Sequence, residues 1–454
     1  MTAPQLAMKD LRRVVIAAAV GNVIEWYDFY IFGSLAILLA SKFFGQSASG
    51  SDLIKYVGTF TAGFLIRPFG AFLFGRIGDL VGRKYTFLIT LSGMGLSTAL
   101  IGLVPSYAKI GALAGVLLLL LRLIQGLCLG GEYGGAITYV AEYAPDEKRG
   151  YYTGWLQTSP TLGIVVSLAV VVGTRQLVGT EAFSAWGWRI PFLLSLVMVA
   201  IAIYIRLQLA ETPIFQAIKA KGQTAANPWR EAFLSENIKY VVIASIVVIG
   251  EGVVWYSSQF WAYYFLQQVM KPDILQPAVI AGIALLLATP SLIFFGWLSD
   301  RIGRKPIILA GFLLAAVTYY PLYTALGNAA NPANINYPVA IIIVAIMVSY
   351  VGMVYGPIGA FLAEYFPARI RYTSVSVPYH IGNGWGGGLV PVITTAAYVS
   401  AQTAGLSMSQ SLGRALVYPI AVPAVAFLLC LFLMPETRKI SIWQPSNVRA
   451  PARG

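Results

Sequence analysis

The chain has 454 residues, of which 58% are hydrophobic and 11% are charged, and its mean hydropathy is +0.73. This composition excludes a soluble globular protein and indicates an integral membrane protein. The net charge of +13 does not indicate nucleic-acid binding, because 22 of the 31 Lys and Arg residues lie in the termini and in alternate loops. Such a distribution is a topology signal, and it predicts that both termini are cytoplasmic.

Long apolar runs predict twelve membrane-spanning helices, which we number spans 1 to 12 in chain order. They lie near residues 13–41, 54–77, 84–105, 109–142, 149–174, 187–209, 238–267, 275–299, 305–326, 337–364, 371–398 and 412–434. The predicted fold class is therefore an all-α membrane protein with two six-helix halves, at 1–210 and 238–434. A cytoplasmic linker is expected at 211–237, and a short basic cytoplasmic tail at 435–454.

Two stretches of the first half recur in the second half. Gly75–Lys84 (GRIGDLVGRK) recurs as Gly296–Lys305 (GWLSDRIGRK), 221 positions later (296 − 75), and Glu142–Pro145 recurs as Glu364–Pro367, 222 positions later (364 − 142). Matches in the same order and at nearly the same period indicate an internal duplication. Each basic stretch lies between two apolar runs, so we predict that it forms a turn at the membrane surface.

The repeated pattern Gly-x-x-x-Asp-x-x-Gly-Arg-Lys resembles the signature loop of the major facilitator superfamily, and Arg122-x-x-Gln125-Gly126 resembles its fourth-helix motif. More narrowly, residues 21–30, 67–70 and 125–135 resemble the metabolite:proton symporter family, which includes permeases for α-ketoglutarate, citrate, shikimate and proline or betaine. The resemblance implies two pseudo-symmetric halves in a bacterial-type inner membrane. It also implies a substrate site between the halves and alternating access driven by a proton gradient.

Ionisable side chains inside a span are costly unless they are paired or solvated, so they are candidates for function. The candidates are Glu25 and Asp28 in span 1, Arg67 in span 2, Arg122 and Glu132 in span 4, Glu251 in span 7 and His380 in span 11. At ~1.5 Å of rise per residue, all except Asp28 and Arg122 are expected near the mid-plane of the bilayer.

Arg67 is the first candidate for the substrate site, because a guanidinium stays charged and offers a fork that fits a carboxylate. The structural alternative is an ion pair with Glu25 or Glu132. The sequence leaves both interpretations of Arg67, substrate contact and structural ion pair, open.

Arg122 is expected to pair with Asp28 or Glu25, because proton-coupled relatives commonly pair the span 4 Arg with a span 1 carboxylate. Protonation of that carboxylate would release the Arg and shift the balance between conformations. A purely structural pair is the alternative. Glu25, Asp28 and Glu132 compete as proton carrier, with the two span 1 residues favoured, and Glu251 is the comparable carboxylate of the second half.

Further side chains are expected to line the substrate cavity. The aromatic candidates are Trp26, Tyr27, Trp255 and Tyr256, and the polar candidates are Gln157, Tyr379, His380 and Asn383. Core packing is the alternative for the polar residues. A lone buried His is more often a hydrogen-bonded structural residue than a ligand, so that alternative also stays open.

The repeated basic loops are expected to act as a cytoplasmic gate. Asp79 and Asp300 are predicted to bind Arg83 and Arg304 and to accept hydrogen bonds from neighbouring helix N-termini. Three further residues complete the predicted gate: Gly75, Glu142 and Glu364.

The leading function is proton-coupled import of a small organic anion, a mono-, di- or tricarboxylate, because two Arg residues lie inside spans. The alternative is a zwitterionic osmolyte such as proline or betaine, held in an aromatic cage, and a non-transporting sensor is a remote alternative. An enzyme is not indicated, because the chain has one His, no nucleotide-binding Gly loop and no metal-ligand spacing. The expected partners are substrate, protons and lipid, without cofactor, metal or nucleic acid, and a monomer is expected to function.

Overall fold

The computed structural model describes residues 8–45, 51–81, 83–207, 227–233, 237–270 and 275–442, together with the single residues 216 and 220. Throughout these ranges the regular elements are helices. Within them, seven helical segments are long and apolar enough to cross a membrane, or ten if each of three bent pairs forms one span. All-helical structure is what hydrocarbon requires, because a helix satisfies its own backbone hydrogen bonds.

The first half is built from helices that follow the predicted spans closely. They are α1 (Met8–Ser34), α2 (Ala36–Phe44), α3 (Ser51–Leu65), α4 (Arg67–Leu80), α5 (Arg83–Leu103), α6 (Tyr107–Ile110), α7 (Leu113–Gly130), α8 (Tyr133–Tyr143), α9 (Arg149–Val178), α10 (Thr180–Ala182) and α11 (Arg189–Leu207). Span 1 is thus α1 with α2, span 2 is α3 with α4, and span 4 is α7 with α8. Spans 3, 5 and 6 correspond to α5, α9 and α11.

Most of the predicted linker lies outside the described residues, apart from α12 (Pro228–Phe233). The indole Nε1 of Trp229 donates to the carbonyl of Phe72 in α4 at 2.9 Å, and the Arg76 guanidinium lies 5.0 Å from the Trp229 ring centroid. The helix is therefore held against the end of span 2.

The second half repeats this arrangement. Its helices are α13 (Ile238–Tyr256), α14 (Ala262–Val269), α15 (Leu275–Ala288), α16 (Pro290–Ile302), α17 (Arg304–Ala329), α18 (Tyr337–Tyr355), α19 (Ile358–Tyr365), α20 (Arg371–His380), α21 (Val390–Thr403), α22 (Met408–Ala415) and α23 (Val417–Leu433). Span 7 is α13 with α14, span 8 is α15 with α16, span 10 is α18 with α19, and span 11 is α20 with α21. Spans 9 and 12 correspond to α17 and α23.

Several spans are interrupted near their middle, which the apolar runs did not predict. Span 2 breaks at Ile66, one residue before the Arg67–Pro68 pair, and span 8 breaks at Thr289, directly before Pro290. Proline lacks a backbone N–H and its ring crowds the preceding turn, so a helix restarts there more readily than it continues.

Spans 7 and 11 are interrupted by π-helical turns, at Ser257–Trp261 and Ile381–Gly386, and the second is followed by a 3₁₀ turn at Gly387–Leu389. Such turns leave backbone groups outside the regular hydrogen-bond ladder. The breaks in spans 2 and 11 lie directly beside Arg67 and His380, so irregular backbone coincides with the predicted substrate site.

Glycine permits spans 2 and 4 to pack at backbone distance. A Cβ atom at Gly126 would collide with the carbonyl of Gly63, and one at Gly130 would collide with the carbonyl of Arg67. This close approach is the packing role expected of small residues in membrane helices. It brings Arg67 and Arg122 into the same part of the bundle.

Candidate functional site

Arg67 begins α4 and is completely buried between the two halves. Its guanidinium carbon lies 4.1 Å from the ring centroid of Phe64, 4.2 Å from that of Phe29 and 5.3 Å from that of Trp26. Ring faces attract a cation, and this attraction is strongest where water is excluded. The aromatic rings therefore hold the charge in place without neutralising it.

None of the three guanidinium nitrogens of Arg67 has a hydrogen-bond partner in the described part of the chain. The hydroxyls of Tyr30 and Tyr256 lie beside the guanidinium but are outside hydrogen-bonding geometry. The structural alternative for Arg67, an ion pair with Glu25 or Glu132, is accordingly not formed.

Aromatic rings from both halves meet around Arg67. Trp26 stacks on Tyr30 at 5.0 Å between centroids, and Tyr30 stacks on Trp255 of the second half at 5.7 Å. Tyr256 packs edge-on against Phe64 at 5.0 Å. Three of the four aromatic candidates, Trp26, Trp255 and Tyr256, are thus brought together.

Tyr27 is placed elsewhere. Its hydroxyl donates to the carbonyl of Pro191 in α11 at 2.6 Å, and the side chain is completely buried within the first half. Consecutive residues of a helix point about 100° apart, so Trp26 and Tyr27 cannot both face the second half. The expectation that Tyr27 lines the cavity was wrong.

His380 ends α20 and lies close enough to Arg67 for the guanidinium charge to act on the imidazole. The ring contacts Tyr379 edge-on at 5.0 Å, and neither ring nitrogen has a hydrogen-bond partner among the described residues. The alternative of a hydrogen-bonded structural His is therefore not realised in this conformation.

Glu251 and Asn383 form a polar contact between spans 7 and 11. The amide nitrogen Nδ2 of Asn383 donates to Oε2 of Glu251 at 2.7 Å, and both residues are buried. The other carboxylate oxygen, Oε1, accepts no hydrogen bond from the described residues. The second half thus contributes a buried acid that faces the same central region.

A layer of hydrogen-bonded tyrosines crosses between the halves. Gln157 of span 5 donates to the hydroxyl of Tyr133 at 2.8 Å and to the carbonyl of Tyr355 at 3.1 Å. The hydroxyls of Tyr355 and Tyr379 are 2.9 Å apart, and Tyr379 stacks on Tyr133. Gln157 and Tyr379, predicted as cavity lining, therefore join a contact that closes the space between the halves.

Arg122 is buried in span 4 and does not pair with the acids predicted for it. Its Nη1 donates to Oε1 of Gln125 at 2.6 Å and to the carbonyl of Phe29 at 3.4 Å. In the described chain, neither carboxylate oxygen of Asp28 has a hydrogen-bond partner. The expected ion pair with Asp28 or Glu25 was wrong for this conformation, because Arg122 reaches the backbone of span 1 instead of its acids.

Glu25, Asp28 and Glu132 are all buried, as predicted proton carriers should be. Glu25 and Asp28 are three residues apart on α1 and share one face of it. Glu132 lies at the break between α7 and α8. No group of three or more His, Cys, Asp or Glu residues in the described ranges is arranged to hold a metal ion.

The end of the bundle that carries the two repeated loops, here called the loop end, is closed by buried charges. Nη1 of Arg304 lies 2.7 Å from Oδ1 of Asp300, and the two carboxylate oxygens of Asp300 accept from the backbone nitrogens of Gly150 and Tyr151 at 2.8 Å each. These nitrogens belong to the first turn of α9, where the helix dipole favours an anion. Asp300 thus joins the second half to the first.

The corresponding side chains of the first loop, Asp79 and Arg83, lie outside the described residues. The described part of its backbone includes residues 75–81, and Gly75 packs against Thr373 of α20 while Gly78 packs against Tyr372. Each repeated loop therefore contacts the opposite half, the first through span 11 and the second through span 5.

Glu142 and Glu364 form reciprocal ion pairs across the two halves. Glu142 binds Arg371 of the second half at 3.0 Å, and Glu364 binds Arg149 of the first half at 2.9 Å. Both Glu and both Arg repeat at the same interval (364 − 142 and 371 − 149 each give 222). The pseudo-two-fold relation of the halves therefore creates two equivalent bridges at the loop end.

Glu364 makes further contacts besides its ion pair with Arg149. It also binds Arg304 through Nη2 at 3.0 Å and Nε at 3.3 Å, and it accepts from the hydroxyl of Thr437 at 2.7 Å. The carboxylate is thus the centre of a buried network that connects both halves with the start of the C-terminal tail.

The two halves are also in contact at the opposite end of the bundle. The hydroxyls of Tyr263 and Tyr264 donate to the carbonyls of Ser34 and Gly33, at 3.4 and 3.2 Å. Nearer the centre, Trp385 donates to the carbonyl of Leu65 at 2.9 Å. With both ends joined, the central site is occluded.

The family model described as "Sugar (and other) transporter" matches residues 14–228 and again residues 222–448, which together span both halves. The chain belongs to the sugar (and other) transporter family, within the major facilitator superfamily. It is a membrane transport protein and not an enzyme. The two consecutive matches agree with the duplication seen in the repeated loops.

Among curated members of the family, the chain is 33% identical over 443 residues to the glycine betaine/proline/ectoine/pipecolic acid transporter OusA of Dickeya dadantii, covering 94% of this chain and 84% of the relative. It is 32% identical over 437 residues to the alpha-ketoglutarate permease of Escherichia coli, covering 94% of this chain and 96% of the relative. The solved structure of the proton:xylose symporter XylE superposes with a TM-score of 0.74 at 17% identity, covering 95% of this chain and 98% of that one. The last comparison shows the fold alone.

Several residues of this transporter site were missed from the sequence. Phe29, Phe64 and Tyr30 look like core residues in an apolar run, and nothing local shows that they face a buried cation. Arg149 and Arg371 were detectable in principle, because they share the 222-residue interval of Glu142 and Glu364.

Proposed function

We propose that this transporter is a proton-coupled symporter that imports a small organic anion, a mono-, di- or tricarboxylate, by alternating access. The observation that supports it is the buried Arg67 guanidinium, whose nitrogens have no hydrogen-bond partner in the described chain. A buried cation without an anionic partner is costly. A carboxylate arriving between the halves would supply the missing partner in bidentate geometry.

The proposal extends to the setting of the transporter. It lies in a bacterial inner membrane with both termini and the loop end cytoplasmic, because the Lys and Arg residues are concentrated on that side. It works as a monomer without cofactor or metal, and the proton gradient supplies the driving force.

In the proposed cycle, substrate and a proton enter from the outer side while the loop end is closed by the Glu364 network. Closure of the outer contacts then gives the occluded state, and separation of the charges at the loop end releases substrate to the cytoplasm. Glu25 and Asp28 are the proposed proton carriers, with Glu132 and Glu251 as the other buried acids.

A zwitterionic osmolyte is the second candidate substrate, supported by the aromatic stack of Trp26, Tyr30 and Trp255. Ring faces could hold a quaternary or secondary ammonium while Arg67 binds the carboxylate. Relatives named for glycine betaine and proline are similar to this chain over 94% of its length. Both candidates therefore share Arg67 and differ in what surrounds the rest of the ligand.

The deciding experiment is uptake into proteoliposomes with an inside-alkaline pH gradient. Labelled α-ketoglutarate, citrate, proline and glycine betaine are supplied separately, with and without a protonophore. We expect carboxylate uptake that the protonophore abolishes and that Arg67→Ala lowers at least 100-fold. Arg414→Ala, which removes an exposed Arg, is the matched control and should transport like the unaltered protein.

Uptake of betaine or proline without carboxylate uptake would overturn the organic-anion proposal and favour the second candidate. In that case Trp255→Ala should reduce uptake strongly. Carboxylate uptake that is unaffected by Arg67→Ala would remove Arg67 from the substrate site.

A further inference from the structure

We infer that Gln125 is the alternate partner of Arg122 in the proton cycle, so that Arg122 moves between the ionised carboxylate of Asp28 and the amide oxygen of Gln125. The inference rests on the proposed proton coupling and adds a positioning residue to it. Gln125 itself neither binds substrate nor carries a proton.

The hydrogen bonds around Gln125 set the direction of its amide. Arg122 Nη1 donates to Gln125 Oε1 at 2.6 Å, and Gln125 Nε2 donates to the hydroxyl of Thr98 at 2.6 Å. That hydroxyl donates in turn to the carbonyl of Met94 at 2.9 Å, so it can only accept from Gln125. The chain of bonds from Met94 through Thr98 therefore presents the amide oxygen to Arg122.

Aromatic rings stabilise the Arg122 guanidinium in this position, where no carboxylate is bonded to it. The guanidinium carbon of Arg122 lies 4.1 Å from the ring centroid of Phe29, 4.4 Å from that of Phe32 and 5.0 Å from that of Phe60. Ring faces and one neutral acceptor replace a carboxylate. In the described chain, Nε and Nη2 of Arg122 have no hydrogen-bond partner and are available for a second acceptor.

Asp28 lies one residue from this contact. Arg122 Nη1 reaches the carbonyl of Phe29 at 3.4 Å, and Gln125 Nε2 lies 3.5 Å from the carbonyl of Asp28. The Asp28 carboxyl group is completely buried, and no described donor bonds to either of its oxygens. An ionised carboxylate without donors is strongly disfavoured, whereas a protonated carboxyl group tolerates this site. The conformation therefore matches the proton-loaded state, with Arg122 resting on Gln125.

Other charged and titratable groups face this pair. Arg67 and Tyr56 of span 2, and Tyr256 and Tyr264 of span 7, lie close enough to act electrostatically on Arg122. Tyr27 adjoins Asp28, and Glu25 shares its helix face. The tyrosines are neutral near pH 7, so the acids of span 1 are the anionic partners within this set.

A proton from the outer water binds a carboxylate oxygen of Asp28, the hydrogen bonds from Arg122 to that carboxylate break, and Arg122 Nη1 bonds to Gln125 Oε1. On the cytoplasmic side the proton leaves for water, Asp28 regains its negative charge, and Arg122 returns to it. Arg122 keeps its own charge throughout.

Two substitutions at Gln125 test the inference with opposite signs. Gln125→Glu holds Arg122 at the resting position, which leaves Asp28 without its cation, so Asp28 should keep its proton up to a pH about one unit higher. Gln125→Met removes the acceptor, which leaves Arg122 with Asp28. The pH midpoint of Asp28 protonation should then fall by about one unit. A purely structural role would reduce stability without moving the midpoint in opposite directions.

The midpoint is measured by infrared titration of the purified protein in liposomes, without substrate. The Asp28 signal is the protonated-carboxyl absorption that is lost in Asp28→Asn. Gln125→Met is repeated in an Arg122→Gln background, where its shift should disappear because the moving cation is absent.

Thr98→Val and Thr98→Ser supply a second test if a Gln125 variant fails to fold. Thr98→Val releases the amide of Gln125 and should lower the midpoint in the same direction as Gln125→Met, whereas Thr98→Ser keeps the hydroxyl and should leave it unchanged. Shifts of one sign for both Gln125 variants, no shift, or a Gln125→Met shift that persists without Arg122 would overturn the inference. Because no substrate is used, absent uptake would count against the proposed function and not against this result.

Discussion

Arg67 and Arg122 are two buried cations of one residue type in different surroundings. Arg67 is surrounded by rings, and its nitrogens lack hydrogen-bond partners in the described chain, whereas Arg122 also has an amide acceptor held by Thr98. A guanidinium without acceptors suits a transient ligand, and one with a single fixed neutral acceptor suits a group that returns to the same place. The difference separates substrate binding from proton coupling at the level of single side chains.

Arg67→Lys tests whether the shape of the guanidinium matters as well as its charge. Lysine keeps the charge but offers no planar fork, so we expect the dissociation constant of α-ketoglutarate to rise about tenfold, equivalent to about 1.4 kcal/mol. The measurement is binding to the purified protein by calorimetry. Arg414→Lys is the control, and unchanged affinity in Arg67→Lys would mean that only the charge is recognised.

At the scale of helices, glycine decides how closely spans 2 and 4 approach. Gly126 and Gly130 of α7 face the backbone carbonyls of Gly63 and Arg67 without room for a Cβ atom. This contact sets the positions of Arg67 and Arg122 relative to each other. Irregular turns in span 11 act similarly, because they place His380 and Asn383 beside spans 2 and 7.

Gly126→Ala should destabilise the transporter, because the added methyl group forces spans 2 and 4 apart. Overpacking of this kind costs about 1–3 kcal/mol. Gly173→Ala in α9 is the control, since nothing lies within 4 Å of the Cβ atom it would add. Thermal unfolding in detergent measures both, and equal midpoints would show that the helix pair adjusts without strain.

At the scale of the whole molecule, the duplication produces the gate. Because the two halves are related by a pseudo-two-fold axis, each Glu of the repeated pair meets the Arg of the other half. Such bridges must break when the halves separate at the loop end. Buried pairs are costly to leave half-broken, so the loop end is expected to be either closed or fully open.

Glu364→Gln should shift the population towards an open loop end, because one carboxylate there accepts from Arg149, Arg304 and Thr437. We expect a cysteine placed at Thr153 to react at least fivefold faster with a membrane-impermeant maleimide applied at the loop end. Asp146→Asn is the control, because Asp146 binds the same Arg149 from a partly exposed position, where ion pairs contribute little. Equal labelling rates in the two variants would contradict a gating role for Glu364.

The sequence by itself determined that this is a twelve-span, duplicated membrane protein, and which ionisable residues lie inside its apolar runs. Hydrocarbon excludes unsatisfied polar groups. Apolar runs, basic loops and rare charges inside spans can therefore be identified from the residue types alone. The contact between Asp300 and Arg304 within one repeated loop could also be predicted from the sequence. Asp300 and Arg304 are four residues apart, and local spacing brings them together.

Only the tertiary structure decided which side chains meet across helices. Arg122 was expected to pair with an acid, but it donates a hydrogen bond to Gln125. Tyr27 was expected to line the cavity, but its hydroxyl donates to the carbonyl of Pro191. Such contacts depend on the rotation of each helix about its axis and on breaks such as the one before Arg67. The break before Arg67 follows from Pro68, but the rotation of each helix is set by packing against distant segments, and no local pattern in the chain encodes it.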